Sequence, residues 1–267
     1  MLVTHNNYRA VELNQYYMSN SQFRTFLQCQ ARAVAECNGA WLLESEAFTE
    51  GSLFEAMLVG GEELENFKAN NPDMFSSRGN TKGELKSNYK RIEGSVAAFK
   101  RQPLFMQIIK HCEPQRIFTG EIAGVPFKCM VDWYAPKPFE ALGIPFPAHS
   151  TFDTKTAKDF KNGYSEHEQR YVKWPYIHGY HYQMAIYREI VGGDGVHRLL
   201  AVTKEDLPDV SAVMFPDTVL DDAIANVREL APIFQAIKRR EMPPTPCGRC
   251  AYCKTHKVLM GWDVVVQ

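Results

Sequence analysis

The feature that most limits the fold is a pair of β-prone runs, Ile117 to Ile122 and Val125 to Tyr134, joined by Ala123-Gly124. Branched and aromatic residues interrupted by a glycine-containing pair predict a hairpin. Side chains alternate along a strand, so Phe127, Cys129 and Val131 share one face, while Lys128, Met130 and Asp132 share the other. Asp132 thus ends a strand on the face opposite an apolar row. A further β-prone run, Ser150-Thr151-Phe152-Asp153-Thr154-Lys155, follows a loop over 135–149 that carries Pro136, Pro138, Pro145, Pro147 and Gly143. In it Asp153 and Lys155 point the same way, about 6–7 Å apart. This pairing suits metal-assisted attack on a phosphate: the acid holds a hard divalent cation and the lysine orients or deprotonates water. Alone, the triplet is also an ordinary solvated strand face.

Helical patterns surround these strands. Residues 1–18 lack periodicity and read as an extended leading segment. Ser19-Asn20-Ser21 can cap a helix over about 19–37, in which Phe23, Phe26, Leu27, Ala31 and Val34 recur at helical spacing around Cys29. Residues 46–67 read as helix; there Glu55, in Gly51-Ser-Leu-Phe-Glu55, interrupts an apolar neighbourhood and alone reads as a solvated acid. A polar loop (68–83) precedes a helix over 84–109. Tyr176 to Val191 is a helix with Gln183 and Tyr187 at i and i+4 on one face, and Leu199 to Thr203 is another strand. A last helix, Thr218 to Arg240, is expected to kink or split at Pro232. This order predicts one mixed α/β domain spanning 1–267, with a small central sheet.

At 267 residues, 45% hydrophobic, the chain can bury a sizeable core. Its 30 basic and 31 acidic residues leave a net charge of −1, so any nucleic-acid contact must come from a local patch. No apolar run approaches the ~20 residues needed to cross a bilayer, and the start lacks a signal-peptide pattern, which predicts a cytoplasmic protein with no membrane partner. In that compartment seven cysteines are free thiols or metal ligands. Three of them form Cys247-x2-Cys250-x2-Cys253 behind Pro243-Pro244, a spacing that can wrap one metal centre. The fourth ligand is either His256, favouring zinc, or a distant cysteine, favouring zinc or an iron–sulfur cluster.

Taken together, these pieces resemble the PD-(D/E)XK nucleases of the RecB and phage-exonuclease type, particularly the RecE-like exonucleases of phages and prophages. The resemblance runs from Ser19 to about Lys257. Ser19 to Cys29 resembles the N-terminal helix motif that ends in a cysteine, and Gly51 to Glu55 the motif with a glycine four positions before a ligand. Gly124 to Asp132 is similar to the strand with the first core aspartate, Asp153-Thr154-Lys155 to the D-x-K core, and Gln183-Met-Ala-Ile-Tyr187 to the Q-x-x-x-Y helix. Each piece is weak alone; five in the family's order are strong.

The resemblance implies a restriction-endonuclease-like core, a small mixed central sheet flanked by helices. It implies that Asp132, Asp153 and Glu55, with the Thr154 carbonyl, ligate Mg2+ or Mn2+, that Lys155 positions the attacking water, and that Gln183 and Tyr187 face the site. Glu121, His178 and His181 are not expected to be ligands. It further implies a [4Fe–4S] cluster on Cys29, Cys247, Cys250 and Cys253, clasping the N-terminal helix to segment 243–257. The C-x2-C-x2-C spacing departs from the longer final gap of better-known cluster enzymes, which keeps structural Zn2+ as the alternative. The implied activity is 5′ to 3′ exonucleolytic digestion of linear double-stranded DNA in recombination, with a single-strand annealing protein as partner and a ring-shaped homo-oligomer as assembly. An endonuclease of the same fold and a non-catalytic nucleic-acid-binding protein are the rival readings. Arg24, Arg32, Lys158 and Lys161 are the candidate backbone contacts.

Overall fold

The computed structural model describes residues 1–41, 46–165 and 170–258. The leading segment is not extended: a 3-10 turn at His5–Asn7 is followed by α1 (Val11–Tyr16). The helix expected over 19–37 is two, α2 (Asn20–Gln28), capped by the Ser19 side chain, and α3 (Gln30–Cys37). They meet at Cys29, whose extended backbone (φ −164°, ψ 106°) interrupts the helical hydrogen bonding. Next come α4 (Glu46–Val59) and α5 (Gly61–Asn70), separated by Gly60 at φ 76°, a left-handed value that glycine adopts without strain. The helix expected over 84–109 is likewise divided, into α6 (Ser87–Lys100) and α7 (Pro103–Lys110), because Pro103 lacks the N–H needed to continue α6 and instead opens a new helix.

The hairpin is β1 (Glu113–Ile122) and β2 (Val125–Ala135), turning at Ala123 (φ 50°) and Gly124 (φ 77°). The proline-rich stretch expected to be loop holds a small hairpin, β3 (Phe139–Ala141) with β4 (Ile144–Phe146). After β5 (Ser150–Ala157) comes a second small hairpin, β6 (Gly163–Ser165) with β7 (Arg170–Val172). Helix α8 (Trp174–Ile177) is separated by left-handed Gly179 from α9 (Tyr180–Val191). Strands β8 (His197–Thr203) and β9 (Val210–Met214) follow, then α10 (Asp217–Lys238) and α11 (Ala251–Thr255). Helix α10 runs unbroken through Pro232, contrary to the expected split, and buries Val227, Ala231, Phe234 and Ile237 along one stripe. Tertiary packing there outweighs the local cost of proline.

The central sheet has the order β1-β2-β5-β8-β9, antiparallel except for the parallel β5–β8 pair. Two cores cover its faces. One packs α2, α3, α9 and α10 on Phe127, Cys129, Val131, Leu199 and Ala201. The other packs α4, α6 and α7 on Trp133, Phe152, Leu200 and Val202. Gly120 lets α9 approach β1 closely, since a Cβ there would lie 2.9 Å from Ile190 Cδ1. This mixed sheet between two helical layers is the architecture expected from the sequence.

Candidate active site and thiol cluster

The site forms where two strands part. Pairing of β2 with β5 covers Trp133–Phe152, Tyr134–Thr151 and Ala135–Ser150, and stops just before Asp132 and Asp153. Strand alternation also slips there. Val131 belongs to one core and Trp133 to the other, so regular two-residue alternation is broken at Asp132; across the hairpin Gln115 has φ 51°. The freed backbone is taken up by a side chain: Asp132 Oδ2 accepts from the Thr154 N–H (2.7 Å) and from Thr154 Oγ1 (2.9 Å). An acid on β2 thereby replaces the missing ladder bond and is fixed beside β5.

On β5, Asp153 and Lys155 lie on the face of Leu199 and Ala201, toward α9. Asp153 is 1% exposed. Its Oδ1 accepts from Gln183 Nε2 (2.7 Å) and lies 3.0 Å from the Tyr187 hydroxyl. That hydroxyl accepts from Gln183 Nε2 (2.8 Å) and is also 3.0 Å from the Met130 carbonyl, so its one proton is shared between two acceptors. Burial first, then Asp153 and Asp132, hold the Tyr187 hydroxyl well above its ordinary pKa, keeping it a donor. Asp153 Oδ2 is buried without a hydrogen bond and faces the Lys155 ammonium in an ion pair. Burial pulls the Lys155 pKa down, but Asp153 and Asp132 together overcome it and hold the ammonium above its ordinary value. Its Nζ also stands 5.4 Å from the Tyr180 ring centroid, and the Arg24 guanidinium lies 5.8 Å from the same ring.

Glu55 arrives from the opposite layer. Leu53 and Phe54 anchor α4 in the second core, and Gly51 sits against β5, where a Cβ would lie 3.8 Å from Thr156 Oγ1. Glu55, one turn later, is raised to about 7, by burial and by Asp153, against the pull of Lys155 and Arg9. Asp132 is pushed well above its usual range by burial, Asp153 and Glu55, with Lys155 and the Thr154 N–H opposing. Three carboxyl groups from three elements thus share one buried volume with a single lysine. A divalent cation with hard oxygen ligands fits such a donor set, because it supplies the positive charge that mutual repulsion and burial call for.

The other residues singled out from the sequence are spread around this centre. Glu121 is exposed at the end of the hairpin. His181 is buried among Tyr176, Tyr182 and Phe215, and His178 lies 5.4 Å from Tyr180. Arg32 is engaged with Glu36 along α3 (3.3 Å) and with Gln28 at the end of α2 (2.7 Å), while Lys158 and Lys161 are exposed. Sequence reading missed Arg9 and Tyr8, which line a cleft of about 1030 Å³ together with Glu55 and Met130. Lack of periodicity in residues 1–18 gave no signal for them.

The second cluster joins the two ends of the fold. The sulfurs of Cys29, Cys247, Cys250 and Cys253 all lie within 4.8 Å of one another. Cys29 Sγ is 3.5 Å and Cys247 Sγ 3.9 Å from Cys253 Sγ. Cys29 reaches the cluster from the break between α2 and α3, so the interrupted helix is what supplies the fourth thiol. His256 is turned elsewhere: its ring stacks on Tyr252 at 4.2 Å and meets Trp41 at 5.9 Å. Backbone N–H groups of Cys250 and Cys253 donate to Cys247 Sγ (3.4 Å) and Cys250 Sγ (3.5 Å). Burial opposes it, but hydrogen bonds from the backbone of Arg249 and Cys250 bring the Cys247 thiol down to about 6, in the range where a thiol becomes a metal-binding thiolate.

A mixed sheet that brings an acid from each of two neighbouring strands to a lysine two residues beyond the second acid defines a PD-(D/E)XK-like domain. Residues 19–256 match the family described as "PDDEXK-like domain of unknown function (DUF3799)", and the chain belongs to that family. It is similar to a crystal structure from Eubacterium rectale described as a "Putative exonuclease", with 28% identity, 99% of this chain and 97% of that chain covered, and a TM-score of 0.86. No curated protein matches the chain. Among the described residues no helix is long and apolar enough to cross a membrane.

Proposed function

We propose that this protein is a Mg2+- or Mn2+-dependent deoxyribonuclease that digests linear double-stranded DNA from its ends, 5′ to 3′, in phage- or prophage-type recombination. The observation that carries this reading is the junction of Asp132 with Thr154 and of Asp153 with Lys155, Gln183 and Tyr187. Asp132, Asp153 and Glu55, with the Thr154 carbonyl, would hold the ion. When bound, the ion polarises the phosphate and lowers the pKa of water. Lys155, held as an ammonium by Asp153 and Asp132, orients the attacking water and balances charge on the phosphate. Gln183 and Tyr187 fix the rotamer of Asp153, leaving Oδ2 toward the reacting side.

For the thiol site, we infer one structural zinc ion, the alternative named from the sequence, ahead of a [4Fe–4S] cluster. A tetrahedron with ~2.3 Å zinc–sulfur bonds has edges of ~3.8 Å, near the 3.5 and 3.9 Å separations from Cys253 in a cluster whose sulfurs all lie within 4.8 Å. A cubane, with one thiolate on each iron corner, spreads its four sulfurs to roughly 6 Å. A partner single-strand annealing protein and a ring-shaped assembly belong to the same proposal and rest on the family resemblance.

The test uses end-labelled linear duplex and covalently closed circular DNA with Mg2+. Expected is release of nucleotides from the linear substrate alone, abolished in Lys155→Ala. Cleavage of the circle would turn the reading to the endonuclease, and equal background release by both proteins would remove the nuclease reading.

A further inference from the structure

Two buried lysines have no role in the site described so far. Lys128 is 1% and Lys238 5% exposed, and neither is paired with a carboxylate among the described residues. Both are bonded instead to the leading segment. Lys128 Nζ donates to the Tyr8 carbonyl and to Asn14 Oδ1 (2.9 Å), standing 4.7 Å from the Tyr8 ring centroid. Lys238 Nζ donates to the carbonyls of Asn14 (3.1 Å) and Tyr17 (2.9 Å), and Gln235 Nε2 to that of Tyr16 (3.2 Å). Met18 completes the attachment by accepting from Lys128 N (2.9 Å) and donating to the Pro126 carbonyl (2.8 Å). Burying charged amines against carbonyls is costly. What the arrangement secures is the placement of residues 5–9.

That placement is in the cleft of about 1030 Å³ shared with Glu55 and Met130. Arg9 is exposed there, its guanidinium 4.6 Å from the Phe48 ring centroid, and no ion pair engages it among the described residues. A planar cation supported by an aromatic ring keeps its N–H donors available for the paired oxygens of a phosphate. These residues lie outside the stretch 19–256 that matches the family.

We propose that Arg9 is a substrate-binding residue that grips a backbone phosphate of the DNA strand lying in the cleft, on a wall that Lys128 and Lys238 fasten to the nuclease core. The inference rests on the nuclease reading and deepens it. It makes the substrate a polyphosphodiester that extends past the reacting phosphate toward residues 5–9, rather than a mononucleotide ester held by the metal site alone.

The test measures affinity of the full chain for a 5′-labelled duplex in Ca2+, and separately kcat and KM in Mg2+. For Arg9→Gln the expected result is a roughly tenfold weaker Kd and higher KM, with kcat changed far less and a salt dependence lower by about one phosphate contact. Arg9→Lys should recover part of the affinity. Lys128→Met, which frees the strap, should reproduce the KM defect, while near-UV circular dichroism of each variant reports whether the fold is kept. Unchanged Kd, KM and salt slope in Arg9→Gln would overturn the proposal while leaving the nuclease reading intact if wild type cleaves. If wild type binds without cleaving, the Kd arm still decides the role of Arg9 while the nuclease reading falls. If it neither binds nor cleaves, both fall.

Discussion

At the carboxylate centre the two strand acids are already held by the protein: Asp132 by two bonds from Thr154, Asp153 by Gln183, Tyr187 and Lys155. At the thiol centre the four sulfurs mostly face one another, and the protein adds only long N–H to sulfur contacts from a short turn. These two acids come from the middle of the sheet and are positioned by the protein itself. The thiols come from Cys29 and from Cys247 onward, 218 or more positions apart, and the proposed ion would tie them together. On the proposed reading, one centre is organised for an ion to use and the other would be secured by its ion. Loss of metal should therefore affect chemistry at the first and folding at the second.

The sharpest way to break that contrast is Asp153→Asn. Its cleavage rate should fall by about 10³-fold or more, while thermal unfolding shifts little, because Asp132 stays to balance Lys155 and repulsion among the carboxylates is relieved. A collapse of Tm would mean that the acid is a structural member. The thiol site should respond in the opposite sense. In Cys253→Ser, or after chelation strong enough to strip the thiols, we expect a loss of ~3 kcal/mol or more and a Tm lower by about 10 °C, with cleavage by the remaining folded protein retained. Elemental analysis of wild type should give one zinc per chain; iron with absorbance near ~400 nm would instead bring back the cluster.

The smallest effect concerns a third group, held with neither metal nor carboxylate. Burial lowers both Lys128 and Lys238 to about 8. Their unfolded value is near ~10.4, so between about pH 8 and 10.4 the unfolded chain binds more protons, and stability rises with pH. Burial raises the Cys37 thiol to about 11 and the Cys112 and Cys129 thiols to about 12, and these three act in the opposite direction once unfolded thiols ionise near ~8.5–9. The net gain is thus confined to roughly pH 8–9, and urea midpoints at pH 7.5 and 9 should show a small increase that shrinks in Lys238→Met.

Much of this was legible because it rests on local pattern. Alternation and Ala123-Gly124 disclosed the hairpin, and the spacing of Gln183 and Tyr187 put both on the face that meets Asp153. What could not be read was set by tertiary context. Asp132 was expected at the end of a regular strand, but a slip in alternation turns it to serve β5, and no residue type announces such a slip. The breaks at Cys29, Gly60 and Gly179 fall inside stretches whose apolar spacing stays helical, so periodicity ran through them. Helix α10 shows the reverse, a proline tolerated because its apolar stripe is buried. Residues 5–9 left no pattern, since their place is fixed by lysines far away in sequence.

The bond from Thr154 to Asp132 makes the first acid a registration mark for the sheet. Were β5 to pair with β2 one residue out of step, Thr154 would no longer meet Asp132, and Asp153 would face away from Gln183 and Tyr187. A misaligned chain would then be inert and not merely slower. Strand pairing thus acts as a safeguard for the site, because only the correctly threaded sheet assembles it.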